Sequence, residues 1–142
     1  MQVVTGDLWA YPADLRVITT NGSIRKDGRA AMGRGCAREA KDRYLGLDNA
    51  LGRHLNAYGN HVFHFEAIGL ATFPVKVAWQ DRANLLLIER SAIELCALAD
   101  RIEAHDVVLP RPGCGHGYLK WTDVCPVLEP LLNDRFHVIA YG

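Results

Sequence analysis

The apolar positions of the 142-residue chain switch between two spacings. Residues 15–20 (Leu-Arg-Val-Ile-Thr-Thr) are rich in β-branched side chains and predict a buried strand. A short apolar run over 1–5 precedes it and ends at Gly6-Asp7. Over 35–44, Cys36, Ala40 and Tyr44 recur at helical spacing, and Gly46 marks the stop. Leu51, Leu55 and Tyr58 share one face of a second helix over 49–58, closed by Gly59-Asn60. Two more strands are predicted over 61–65 and 68–73. The longest helix is predicted over 82–104, where Leu85, Ile88, Ala92, Leu95, Ala99 and Ile102 form a single apolar stripe. A buried strand over 107–110, a last helix over 122–132 and a final strand over 136–141 complete the chain.

Strands alternating with helices imply an α/β sandwich on a largely parallel central sheet. Ligands of such sheets bind beyond the carboxyl ends of the strands. Two glycine-rich turns fall at such ends: Asp27-Gly-Arg-Ala-Ala-Met-Gly-Arg-Gly35 and Arg111-Pro-Gly-Cys-Gly-His-Gly-Tyr118. Glycine lets the backbone approach a ligand closely, leaving several N–H groups free to converge on one anion. A helix beginning just downstream adds its dipole. Two such turns in one small chain point to a cradle for a diphosphate, hence a nucleotide-like ligand. The first turn lacks the GxxxxGK[ST] of a P-loop, which argues against an NTPase. Neither turn is a GxGxxG, because Arg38 and Tyr118 stand at the third glycine position, which argues against a standard dinucleotide-binding domain.

Composition narrows the partners. Sixteen basic residues balance sixteen acidic ones, so gripping a long duplex by charge is disfavoured, while a local basic patch or contact with a nucleic-acid end is not. The chain is 49% hydrophobic and 23% charged, and its length implies one domain over 1–142. No apolar run approaches the roughly 18 residues of a membrane span. Residues 1–10 lack a secretory pattern, so the expected compartment is the cytoplasm. Cys36, Cys96, Cys114 and Cys125 show no CxxC spacing, and strand geometry puts His61 and His64 on opposite faces. No metal and no cofactor are expected.

With these residues in view, the chain resembles the macro domain, an α/β fold that binds ADP-ribose. The resemblance runs in order along nearly the whole chain. It takes in Gly6-Asp7-Leu8, Ile18-Thr-Thr-Asn21, Met32-Gly-Arg-Gly-Cys-Ala37, Phe73-Pro-Val-Lys76 with Trp79, and Leu109-Pro-Arg-Pro-Gly-Cys-Gly-His-Gly-Tyr-Leu-Lys-Trp121. Within that family it looks most like the branch of terminal ADP-ribose protein glycohydrolase, the antitoxins that remove ADP-ribose from DNA, and phage-encoded macro proteins. The implied fold is a three-layer α/β/α sandwich with a central mixed, largely parallel sheet.

The resemblance implies roles. Asp7 would accept from the adenine amine and the Leu8 N–H would contact the ring, whereas spacing alone also fits Asp7 as a turn-forming residue. Asn21 would hold the distal ribose hydroxyls. Met32, Gly33, Arg34 and Gly35, with Gly113, Cys114, Gly115, His116 and Gly117, would wrap the diphosphate. Tyr118 would cover the distal ribose or phosphate, or sit in the core. Arg34 and Arg111 are expected in solvent or structural pairs, because backbone amides already satisfy the anion. Trp79 and Trp121 are expected to pack, and Trp79, three residues beyond Lys76, to wall the pocket around that lysine.

Lys76 is the sharpest catalytic candidate, either as a neutral amine attacking the anomeric carbon of an opened ribose or as a cation stabilising developing charge. Asn21 and His116 complete the catalytic set, with His116 as general acid or base or as a phosphate contact. One departure matters: the protein glycohydrolase carries an aspartate where this chain has Gly117, whereas the antitoxin branch has a small residue there. The leading expectation is ADP-ribose binding with hydrolysis of mono-ADP-ribosyl linkages on a nucleobase or protein side chain. The alternatives are a phosphatase on ADP-ribose carrying a phosphate on the distal ribose, and a binding module without turnover. The partner is ADP-ribose or an ADP-ribosylated macromolecule, ADP-ribosylated DNA among them, with no membrane; the sequence does not specify an oligomeric state.

Overall fold

Val17 and Ile18 are neighbours in sequence and are both fully buried, yet they pack in different cores. Only a strand covered on both faces does this, because its side chains alternate sides. In the computed structural model, which describes residues 1–141, that strand is β2 (Leu15–Asn21). The order is β1 (Gln2–Thr5), β2, α1 (Gly35–Arg43), α2 (Leu47–Tyr58), β3 (His64–Phe65), a 3₁₀ turn at Glu66–Ile68, β4 (Leu70–Lys76), α3 (Leu85–Arg101), β5 (Val107–Pro110), α4 (Trp121–Leu128) and β6 (Phe136–Ala140). The sheet runs β1-β6-β5-β2-β4-β3, with every pair parallel except β3 against β4.

One core joins Val17, Phe73, Leu109 and Val138 to Ile88, Leu95 and Ala99 of α3 and to Val124 and Leu128 of α4. On the opposite face Ile18 and Leu70 meet Ala37 and Ala40 of α1 and Leu51 and Leu55 of α2, while Val108 and Ile139 meet Leu8. Helices therefore cover both faces, as the alternating pattern predicts. Burying each large side chain contributes roughly 1.5–3 kcal/mol.

Several boundaries differ from the sequence reading. The second helix starts at Leu47 because Gly46 serves as its left-handed N-cap (φ 83°), which lets Leu47 join the core. The long helix starts at Leu85, since the Asn84 side chain accepts from the Leu87 N–H at 3.1 Å and caps it. It ends at Arg101, just before Glu103 takes a left-handed φ of 55°. The expected strand over 61–65 contracts to two residues. Val62 N–H donates instead to Glu94 Oε1 and Phe63 N–H to Thr72 Oγ1, so side chains take over these donors, while the Phe63 carbonyl still accepts from Thr72 N–H at 3.0 Å. The last helix closes at Leu128, and 129–131 continue as turns.

The strand expected over 68–73 begins at Leu70 and reaches Lys76. Near its end the register with β2 jumps from Thr20↔Pro74 to Asn21↔Lys76, leaving Val75 as the extra residue of a bulge. Pro74 has no N–H to give the ladder, which accounts for the break. The Pro74 carbonyl accepts from the buried Ser91 hydroxyl at 2.6 Å, tying the bulge to α3. The bulge brings Asn21 and Lys76 directly opposite one another. No helix among the described residues is long and apolar enough to cross a membrane.

Candidate functional site

Strands β2 and β5 are adjacent and parallel, so the glycine-rich segments that follow them emerge at the same sheet edge. Together they border a cleft of about 750 Å³. The two segments face each other: a Cβ placed on Gly35 would stand 3.6 Å from the His116 ring.

The first segment ends in α1, whose N-cap Arg34 supplies no side-chain cap and whose first turn holds no acidic residue. Among the described residues, the N–H groups of Gly33, Arg34 and Gly35, and of Gly115, His116 and Gly117, donate no hydrogen bond within the protein. Two sets of unpaired amides and an uncapped helix start thus converge on one space, an arrangement suited to an anion. The glycines divide by task. A side chain on Gly33 or Gly115 would meet nothing within 4 Å, so these positions keep the cleft open. A Cβ on Gly117 would lie 2.5 Å from the Gly113 carbonyl oxygen and 2.7 Å from Ala83 Cβ, so no side chain fits there. The position where the resemblance sets an aspartate against this chain's Gly117 is therefore sterically closed.

Lys76 lies between the segments. Its Nζ donates to the His116 carbonyl at 2.6 Å and to the Trp79 carbonyl at 3.3 Å, so the end of β4 is pinned to the second glycine segment. Partial burial, with Arg34 nearby, holds its ammonium below the usual lysine range, and Asp81 opposes the shift. Asn21 donates from Nδ2 to the Ala31 carbonyl at 3.0 Å and accepts at Oδ1 from Ser23 N–H at 2.9 Å, while the Trp79 N–H meets the Ser23 hydroxyl at 2.9 Å. These bonds fix the backbone around the lysine. Asn21 spends one donor and one lone pair on them and keeps one of each.

A further wall of the cleft is a small hairpin, closed by the Ile24↔Ala30 bridge and an Arg25 N–H bond to the Arg29 carbonyl at 2.7 Å. It is seated on α2, where Ala30 N–H donates to the Asp48 carbonyl at 2.8 Å. A Cβ on Gly52 would overlap the Gly28 carbonyl oxygen. Gly52→Ala favours an isolated helix by about 1 kcal/mol, yet here it is expected to lower stability by roughly 1–3 kcal/mol. It should also weaken ligand binding, because the wall must lift; thermal melting and titration with ADP-ribose check both.

Of the sequence-predicted residues, Leu8, Asn21, Met32, Gly33, Arg34, Gly35, Lys76, Gly113, Gly115, His116 and Gly117 line the cleft. Asp7, Cys114 and Tyr118 do not. Asp7 Oδ1 accepts from Trp9 N–H at 2.9 Å, the turn-forming arrangement. Cys114 packs against the α3 core, and burial raises its thiol pKa. Tyr118 is exposed with a left-handed φ of 61°, its carbonyl bound by Arg82. Trp79 lines the cleft beside Lys76, as the pocket-wall expectation has it, and is more than half exposed rather than packed in the core. Arg111 stacks on Trp121, its guanidinium carbon 4.9 Å from the ring centroid.

Sequence reasoning missed Glu39 and Tyr141, which line the far end of the cleft near Asp7. Burial and then the Glu39 and Asp7 carboxylates push the Tyr141 phenol pKa up. Cys36 also lines the cleft; burial raises its pKa and Thr19 binds its sulfur, so it is an inert thiol. Among the described residues, no group of three or more His, Cys, Asp or Glu side chains is placed to hold a metal.

A mixed six-stranded sheet between two helical layers, with an amide-lined cleft over its parallel edge, is the macrodomain fold. The macrodomain of Mycobacterium tuberculosis DarG superposes with a TM-score of 0.76 at 24% identity, over 100% of this chain and 99% of that one. The macrodomain of Thermus aquaticus DarG gives 0.76 at 20% identity, over 99% and 97%. Thermosipho africanus DarTG in complex with ADP-ribose gives 0.72 at 16%, over 98% of this chain and 42% of that longer one. No family model and no curated protein sequence matches the chain.

Proposed function

We propose that the cleft binds ADP-ribose, with its diphosphate between the two glycine segments, and that the protein hydrolyses mono-ADP-ribosyl linkages on a nucleobase or a protein side chain. The observation that carries this reading is the placement of Lys76. A lysine with a lowered pKa stands at the edge of an amide cradle, opposite Asn21 and bound to the carbonyl of His116. The ADP-ribose held by a structural neighbour supports the choice of ligand.

The adenine would lie toward Leu8, Glu39 and Tyr141, and the distal ribose toward Asn21 and Lys76. The lone pair of the attached atom expels the ring oxygen, which leaves with the C–O bonding pair and takes a proton. Neutral Lys76 Nζ then adds to the anomeric carbon of the ribose so opened and gives up a proton, so that loss of the attached group leaves an imine on the lysine. The leaving group departs with the bonding electron pair and takes a proton, for which His116 is the nearest exposed titratable side chain on the second glycine segment. Water then hydrolyses the imine, which returns the amine and frees ADP-ribose. With position 117 closed, the carboxylate nearest Lys76 by its electrostatic effect is Asp81.

The test is to incubate the protein with an ADP-ribosylated oligonucleotide and with a mono-ADP-ribosylated protein, and to follow free ADP-ribose. Release from either substrate supports hydrolysis. Binding of ADP-ribose with release from neither leaves a binding module in its place.

A further inference from the structure

We infer that Asn60, in the loop between α2 and β3, is a positioning residue for Lys76: its side-chain amide holds the Lys76 peptide carbonyl and so fixes where the amine of that lysine points. This rests on the role given to Lys76 above and adds to it a residue that does not line the cleft.

Lys76 ends β4 directly after the bulge residue Val75, where the register with β2 shifts. Four successive carbonyls of this stretch are held by four different partners. Pro74 accepts from the Ser91 hydroxyl at 2.6 Å and Val75 from the Asn84 N–H at 2.9 Å. Lys76 accepts from Asn60 Nδ2 at 3.0 Å and Val77 from the Gly22 N–H at 3.1 Å. The third of these bonds acts on the peptide carbonyl of the lysine itself. Room for it is built into the chain. A Cβ on Gly22 would stand 2.7 Å from the Val77 carbonyl oxygen and 2.9 Å from Asn60 Nδ2, so the residue after Asn21 lacks a side chain where the amide passes.

Asn60 is itself braced from α3. Its carbonyl accepts from Arg90, Arg90 pairs with Glu94 at 3.5 Å, and Glu94 binds the His61 ring and the Val62 N–H, each at 2.9 Å. Stability does not account for an asparagine here. Its Oδ1 is buried and accepts no hydrogen bond among the described residues, which is unfavourable. What the side chain supplies is the Nδ2 donor. With its carbonyl so fixed, Lys76 extends Nζ to the His116 carbonyl at 2.6 Å and the Trp79 carbonyl at 3.3 Å. Released from Asn60, the peptide unit can rotate, and the amine leaves those acceptors for solvent. The cradle amides belong to residues 33–35 and 115–117, and the hydrogen bonds of Asn60 reach none of them. The charged groups acting on Lys76 are Arg34 and Asp81, whereas Arg90, Glu94 and His61 contact Asn60 or one another.

The test is Asn60→Ala in the full chain, read in three ways. Release of ADP-ribose from the substrates named above gives turnover, and calorimetry gives the affinity for ADP-ribose. The titration of Lys76 is followed by NMR of lysine-labelled protein, its signal assigned by its loss in Lys76→Ala. Turnover is expected to fall about tenfold to a hundredfold while Kd changes by less than about twofold. The Lys76 titration should move up toward the ordinary lysine value, and the midpoint at which turnover rises with pH should move with it. An unmoved titration overturns the inference, whatever turnover does. So does a loss of affinity in step with turnover, the mark of a general structural defect. If the alanine variant does not fold, Asn60→Ser, which keeps a donor on a shorter side chain, is read in the same way. If the unaltered protein releases no ADP-ribose from either substrate, the hydrolysis reading fails, and the titration alone still decides whether Asn60 sets the amine.

Discussion

Replacing Lys76 by alanine is expected to reduce turnover by a factor of about 10²–10⁴, while ADP-ribose remains bound, because the cradle is built from backbone amides of other residues. Lys76→Arg separates the two roles open to the side chain: it keeps the charge and loses the nucleophile, and it should be as inactive as alanine. The pH profile gives the sign. Burial and Arg34 lower the Lys76 pKa, so a nucleophilic amine gains activity as pH rises, with a midpoint below the ordinary lysine value of about 10.4. A lysine acting as a cation would show the reverse limb, with activity lost as pH climbs through that midpoint. A rising limb that persists in Lys76→Arg would place the titrating group elsewhere.

Placing an acid at position 117 should damage the protein rather than improve it. In Gly117→Asp the new Cβ meets the Gly113 carbonyl oxygen, Gly113 Cα and Ala83 Cβ, all at 2.8 Å or less. Two of the three are backbone atoms, so the loop must move. The expected cost is about 1–3 kcal/mol, with weaker ADP-ribose binding because the neighbouring amides move too. Gly115→Ala is the control. Its Cβ enters open space, so stability should change by no more than about 0.5 kcal/mol, and any loss of affinity reports crowding of the cleft alone. Thermal melting and titration on both variants decide the matter; a Gly117→Asp protein as stable as the parent would show that the loop can re-form around the acid.

The two glycine segments were legible because local chemistry dictates them: glycine runs between a β-branched stretch and a helical stripe read the same way wherever they occur. The core strands β2 and β5 and the stripe of α3 were legible for the same reason. What could not be read was set by distant pairings. Glu39 and Tyr141 belong to the cleft only because β6 ends beside the first turns of α1, across about a hundred residues of sequence. The hairpin carrying Arg25 depends on Gly52, whose place inside a helix has no local rationale. Gly46 was read as the end of one helix, and it also begins the next. Asp7 Oδ1 accepts from Trp9 N–H, the turn chemistry open to such a residue, and Oδ2 stays free for the adenine role that the resemblance implies.

The extra residue in β4 bears on how distant kin of this chain should be aligned. A pleated strand changes sides at every step, so Val75 reverses the parity of whatever follows Pro74. Deleting it would restore a regular ladder while turning Lys76 to the other side of the sheet. The unit to match is therefore the imino acid plus its offset, not an isolated basic residue, and a gap placed between them would pair Lys76 with an unrelated position.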